Sequence, residues 1–305
     1  MARKRTRNPG STSQWEAALL TYADSDTIED AAKALSTRLL GQTWTLPTPI
    51  EILAQNLEAK IVFADLQHSG FVTATPSGGY IITINSQHSS HRRRFTVAHE
   101  IGHILLDKAA RQVLGLKPLT RQSRSCQRTN RMERACDILA RELLVPSEVL
   151  RSFITNLSIE QPVAELELST ILHVSRHFAV STVMAAKRVA EINCWHGSFV
   201  AWEASIRYEK NLVKSWESPP RFLKGFGGKR DCDYLIGTDG PTWRTLQTGQ
   251  LEVGLDSVDA VTTSIHHHMG ILNLHSLRIY NKPTPVVLSY VHGFALDTPK
   301  HRDTQ

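Results

Sequence analysis

Two histidines four positions apart, His99 and His103, enclose a glutamate, Glu100, in the string His-Glu-Ile-Gly-His. On a helix that spacing puts both imidazoles on one face, and the carboxylate falls beside them. One zinc ion can bridge such a pair, because one helical turn supplies the bite that Zn–N distances of ~2.0 to 2.1 Å require. Glu100 then stands where a general base is needed, to take the proton of a water attacking a carbonyl. A third ligand must come from elsewhere in the chain. Glu133-Arg-Ala-Cys-Asp137 offers two carboxylates one turn apart. Glu133 is the candidate third ligand, and Asp137 is placed to accept the second ring N–H of a ligating histidine. The competing reading pairs Glu133 with a neighbouring arginine on a solvated face.

These residues need elements to position them. Phe95, Ala98, Gly102 and Leu105 recur at helical spacing and predict a helix over about 93–107. Met132, Ala135, Cys136, Leu139 and Leu143 predict a second over about 132–144, stopped by Pro146. Upstream, 15–40 and 47–57 carry helical patterns, read as two helices. The short β-branched or aromatic runs 60–63, 70–74 and 80–85, separated by Gly and Pro, predict a small antiparallel sheet. Residues 165–192 again read as helical, with Phe178 to Ser181 a tight joint between two helices. Beyond Cys194 the glycine-rich clusters and the strand-like runs near Phe199, Ile279 and Val286 indicate a separate mixed domain.

Several function classes are excluded by composition. Hydrophobic residues are 41% and charged residues 21%, the make-up of a globular protein. No apolar run is long enough to cross a bilayer, and Met1 to Arg7 is basic without the apolar stretch of a signal peptide. The four cysteines, Cys126, Cys136, Cys194 and Cys232, form no CxxC pair. A cytoplasmic protein with free thiols is expected. The net charge of +6 is unevenly spread. Residues 108–134 hold eight Lys or Arg against one acid, Glu133, whereas 194–305 hold twelve against eleven acids. Attraction to polyanions is therefore expected near the middle of the chain.

The stretch RRRFTVAHEIGHILLD, followed by MERACDILARELLVP, resembles the ImmA/IrrE family of metallopeptidases, whose pattern is R-F-T-x-A-H-E-x-G-H and then E-x-x-A-N-x-F-A-x-E-L-L-M-P. GYIITINS resembles the strand before that family's zinc helix, and ILHVSRHFAVSTVMAAKRV its helix-turn-helix segment. The resemblance covers roughly residues 15–192. It implies Zn2+ as cofactor, His99, His103 and Glu133 as ligands, and Glu100 as catalytic base. Cys136-Asp137 stands where the pattern has Ala-Asn, and Leu139 where it has Phe. The resemblance also implies a substrate, a partner repressor of helix-turn-helix fold whose cleavage relieves transcription after DNA damage or entry of foreign DNA.

The expected architecture is α+β. A flexible basic arm (1–14) precedes a zincin-like peptidase domain (15–155). A helix-turn-helix-like segment (156–193) and a C-terminal mixed α/β domain (194–305) follow, the last a GAF-like sensor by analogy with long family members. Cys126, between the two site helices, is a candidate inhibitory zinc ligand. Arg92 and Arg93, with Lys224, Phe226, Lys229 and Arg230, combine cations with aromatics and are candidate contacts for single-stranded DNA, a candidate activating ligand. The first turn of the second helix of the helix-turn-helix-like segment, Ser181 to Met184, lacks the Arg, Asn or Gln that reads base edges, which favours a structural role. Only His266 and His268 of the histidine run would share a strand face, and no Cys or acid joins them at ligand spacing. The rival to a peptidase is a DNA-binding regulator or antitoxin-like binding protein whose zinc site does no catalysis.

Overall fold

In a computed structural model the described residues are 14–41, 45–115, 130–160, 166–192, 198–204, 212–217, 233–236, 240–248, 252–261, 266–280 and 286–296. Among them the packing defines two units, one of residues 1–150 with 177–180, the other of 151–176 with 181–305.

The first unit is organised around α4 (Ser90–Leu114). Ser89 caps its start, its hydroxyl accepting from the Arg92 N–H, and Gly115 ends it with φ 64°, its N–H returning to the Arg111 carbonyl. From Thr96 to Asp107 all but His99 is buried, so the helix is sunk in the core along its middle turns. It is longer at both ends than the apolar spacing predicts, because cap residues rather than apolar ones set where it stops. Its C-terminal half is fixed to the sheet by a buried polar brace. The Tyr80 hydroxyl donates to Asp107 at 2.7 Å, and Arg111 pairs with the same carboxylate while lying over the Tyr80 ring.

Three helices precede the sheet: α1 (Gln14–Ala23), α2 (Ile28–Leu40) and α3 (Ile50–Asn56). Two were expected. The run 15–40 is broken at Asp24, which turns into the left-handed region (φ 54°), and Thr27 then caps a new helix by accepting from the Asp30 N–H. An asparagine or aspartate tolerates that conformation better than most residues, and apolar spacing alone does not register it.

The sheet comprises β1 (Ala59–Ala64), β2 (Gly70–Ala74) and β3 (Tyr80–Asn85), in the order β1-β3-β2. It is mixed rather than antiparallel as expected: β2 pairs antiparallel with β3, but β1 runs parallel to β3. The short turn from Thr75 to Gly79 closes β2 and β3 into a hairpin. The chain leaving β1 crosses to the far side of β3, a choice that strand patterning does not encode. Gly70 opens β2 where α4 lies closest; a Cβ there would meet Thr96 Cγ2 at 2.7 Å and the Thr83 carbonyl oxygen at 2.8 Å.

Packed on α4 is α5 (Asn130–Leu144), which buries Ala135, Cys136, Leu139, Ala140 and Leu143. It ends at Leu144, as expected from Pro146. A further helix, α6 (Ser147–Glu160), begins directly after that proline and was not expected. Proline is favourable in the first turn of a helix, so one residue both stops α5 and starts α6. The predicted pair of helices over 165–192 is present as α7 (Leu166–His177) and α8 (Thr182–Glu191), with Ala179 at the joint in the left-handed region (φ 50°).

In the second unit, β4 (Ser198–Ala204), β5 (Leu212–Glu217), β6 (Asp233–Ile236), β7 (Glu252–Val261), β8 (His266–Tyr280) and β9 (Val286–Leu296) form a closed barrel, β9 returning to pair with β4. Every neighbouring pair is antiparallel. Among the described residues beyond Cys194, the expected mixed α/β character is carried by one eight-residue helix, α9 (Pro241–Thr248), set against β7, β8 and β9. Closure explains the difference, because a barrel leaves no sheet edge that helices must cover. Among its described residues, four buried polar side chains are hydroxyls. Ser276 Oγ lies 3.0 Å from Thr242 Oγ1 and 2.6 Å from Ser289 Oγ, and Thr245 donates to the Ser276 carbonyl.

Candidate metal centre

The centre lies where α4 and α5 cross. Helices approach this closely only with little side-chain bulk between them, and Gly102 supplies that condition. A Cβ on Gly102 would sit 3.0 Å from Cys136 Cα and 3.2 Å from Cys136 Cβ. The glycine of His-Glu-Ile-Gly-His therefore sets the helix spacing, and the spacing brings Glu133, Cys136 and Asp137 onto the two histidines.

The contacts divide by ring edge. Glu133 Oε2 is 3.2 Å from His99 Nε2, and Glu133 Oε1 is 3.6 Å from His103 Nε2, so one carboxylate faces the same edge of both rings. On the opposite edges, Asp137 Oδ1 lies 2.9 Å from His99 Nδ1 and Cys136 Sγ lies 3.3 Å from His103 Nδ1. The two rings stand 5.0 Å apart, edge to face. Glu100 is 2% exposed and His103 3%, while the Asp137 and Glu133 side chains keep 44% and 34% of their surface. The site is thus closed on the α4 side and open on the α5 side.

Electrostatics follow from this crowding of carboxylates. Burial alone lowers the His99 pKa, but hydrogen bonds to Asp137 and Glu133 and the charges of Glu100 and Asp137 outweigh it and raise the value to about 9. An imidazole that attracts a proton this strongly sits in a field that also attracts a metal cation. The donor set fits the ion. His99, His103 and Cys136 bring ligand atoms within 4.8 Å of one another, with the Glu133 carboxylate at the Nε2 edges, and nitrogen, sulfur and carboxylate donors are those zinc takes. His103 Nε2 and Glu133 Oε1 are closed to solvent and face each other at 3.6 Å, a separation that two ligands of one ion can also take.

A cleft of about 550 Å³ opens onto the centre, between the start of β2 (His68 to Gly70) and the first turns of α4, with His99, Glu100 and Glu133 in its wall.

A family model for the IrrE N-terminal-like domain, a peptidase domain, matches residues 54–190. Over that span the chain is an IrrE-like peptidase domain. No match was found among curated proteins. Among solved structures, a Mycobacterium tuberculosis transcriptional regulator is 14% identical with a TM-score of 0.47, the alignment covering 91% of this chain and 82% of that one.

The residues singled out in the sequence fall unequally on the IrrE-like domain. His99, Glu100, His103, Glu133 and Asp137 converge on one point, as described. Arg92 reaches the cleft rim, where it donates to Ser69 Oγ at 3.2 Å. Arg93 does not join it. It stacks over the exposed Phe63 ring at 5.5 Å and lines a separate hollow of about 900 Å³ between α3, β1 and α4. Cys126, Lys224, Phe226, Lys229 and Arg230 lie outside the described residues. No helix among the described residues is long and apolar enough to cross a membrane.

Two participants went unread in the sequence. Cys136 was read as part of an apolar seam and as a departure from the family pattern, not as a site residue, although it lies three residues after Glu133 on the same helix. Gly102 counted as a core-facing position, although a glycine inside a strongly helical run signals a close approach.

Proposed function

We propose that the protein is a zinc endopeptidase, with His99, His103 and Glu133 holding the metal and Glu100 the general base. The supporting observation is one carboxylate, Glu133, facing the Nε2 edge of both histidines from a second helix. When bound there, zinc polarises water and a substrate carbonyl. Glu100, buried between the two histidines in sequence, takes the water's proton and delivers it to the departing amine. Asp137 holds His99 by Nδ1, leaving Nε2 for the ion. The substrate enters as an extended chain through the cleft between the start of β2 and α4.

The substrate in this reading is a helix-turn-helix repressor, cut in the cytoplasm to relieve transcription after DNA damage or entry of foreign DNA, including phage. The C-terminal barrel acts as a sensor, single-stranded DNA is the candidate trigger, and Cys126 is the candidate inhibitory ligand. Support for this larger scheme is the membership of residues 54–190 in the IrrE-like family. The rival DNA-binding reading needs α8 to enter a groove. None of its residues from Thr182 to Ala190 is exposed, and Arg188 is turned onto Glu191 at 2.8 Å, which speaks against it.

The test is purified protein mixed with a helix-turn-helix repressor encoded beside it, with and without zinc and single-stranded DNA. A discrete fragment that requires zinc and Glu100 supports the reading. Full biological activity of Glu100→Gln would overturn it.

A further inference from the structure

We infer that Cys136 is a positioning residue for the metal site: its thiol holds His103 by Nδ1, as Asp137 holds His99, and it is not itself a ligand. The inference rests on the reading that His99, His103 and Glu133 bind the ion through the edges described above.

Three ligand-type atoms within 4.8 Å would ordinarily nominate Cys136 as the third ligand. The ring geometry argues otherwise. An imidazole presents its two nitrogens on different edges. Cys136 Sγ lies 3.3 Å from His103 Nδ1, while the Nε2 of the same ring faces Glu133 Oε1 at 3.6 Å. A metal held by Nε2 of both histidines and by Glu133 stands on the side of His103 away from the sulfur. The neutral ring that binds through Nε2 carries its hydrogen on Nδ1, and that N–H donates to the nearest acceptor, here the sulfur.

The packing explains how a cysteine can be this partner. α4 and α5 are in close contact at Gly102, where a Cβ would lie 3.0 Å from Cys136 Cα. The Cys136 backbone therefore lies against α4, and its short side chain reaches His103 Nδ1 directly. Among small side chains, alanine offers no acceptor. Cys136 is wholly buried and His103 is 3% exposed, so water from the cleft is poorly placed to substitute for the thiol. His99 thus has a half-exposed carboxylate as its holder and His103 a buried thiol. The two ligands of one motif are held with unequal strength.

The test uses the full chain loaded with Co2+ and, separately, competed for Zn2+. Any thiolate-to-cobalt charge-transfer band of the wild-type protein is expected to persist in Cys136→Ala and to be lost in Cys126→Ser. Cys136→Ala is expected to bind metal about tenfold more weakly, at the lower end of the ~10- to 100-fold typical of outer partners, and Cys136→Ser to recover part of the loss. Melting of the metal-free Ala and Ser variants, compared with wild type, separates a folding defect from a metal-site effect. A thiolate band that vanishes in Cys136→Ala would overturn the inference by making the sulfur a direct ligand. Metal affinity unchanged in both variants would also overturn it. Glu133→Gln, measured in parallel, reports on the underlying reading: unchanged affinity in that variant removes Glu133 from the ligand set whatever Cys136 does.

Discussion

Among the described residues, two of the regions that bury polar side chains bury different kinds. At the α4–α5 crossing the buried groups are titratable: Glu100, His103 and the largely enclosed His99, ringed by Glu133, Asp137 and Cys136. In the barrel they are the hydroxyls of Thr242, Thr245, Ser276 and Ser289, bonded to one another or to backbone. Hydroxyl chains of that kind satisfy themselves and stay neutral, so they cost little to bury and do no chemistry. Clustered carboxylates and imidazoles are costly to enclose unless a cation joins them, which is why the first region reads as a site and the second as structure.

The sharpest way to break that contrast is at Glu100. Glu100→Gln should lower peptide-bond cleavage by roughly 10²- to 10⁴-fold while zinc content stays near wild type, measured by fragment yield and metal analysis. Retained cleavage would make the site a binding device. Metal removal comes next. At zinc about a hundredfold above its dissociation constant, binding contributes about 2.7 kcal/mol. Chelation should therefore lower the melting temperature by roughly 5 to 10 °C. His103→Ala should abolish that zinc response.

Gly102→Ala probes the spacing itself. The added methyl meets Cys136 at 3.0 to 3.2 Å, so a loss of about 1 to 3 kcal/mol in stability is expected, together with weaker zinc binding, because Glu133 and Asp137 ride on the helix that must move. Ser276→Ala is the barrel counterpart. It should cost about 1 kcal/mol and leave zinc affinity unchanged; a change in zinc affinity would show that the hydroxyls are coupled to the chemistry.

The smallest effect is a pH dependence of the metal-free protein. The His99 pKa is raised from 6.5 to about 9 in the folded state. Its contribution to stability is then complete below about 6.5 and is lost as pH rises through about 9. Melting of the chelated protein should fall across that window, and His99→Gln should flatten the fall. Zinc displaces the same proton, so zinc affinity should rise with pH over the same range.

Much of the site was legible before the structure because its logic is local. His-Glu-x-x-His needs only a helix to put two imidazoles on one face, and the helical period around it is strong. Glu133 and Asp137 were legible as a pair for the same reason. The α7–α8 joint was legible too, from a short interruption between two periodic runs. Features that depend on what approaches from elsewhere were not. The parallel placement of β1 beside β3, the break at Asp24 and the second role of Pro146 as a helix start each turn on backbone choices that side-chain periodicity leaves open.

By itself the sequence nominated the residues that could bind a metal and activate water, since donor chemistry and a 3.6-residue period are properties of the chain alone. Only the tertiary structure decided which edge of each imidazole meets which partner. That depends on how closely α5 approaches α4, a distance that the absent side chain at Gly102 allows. Barrel closure belongs to the same class, because the pairing of β9 with β4 joins strands separated by most of the second unit, and no local pattern specifies a contact so distant along the chain.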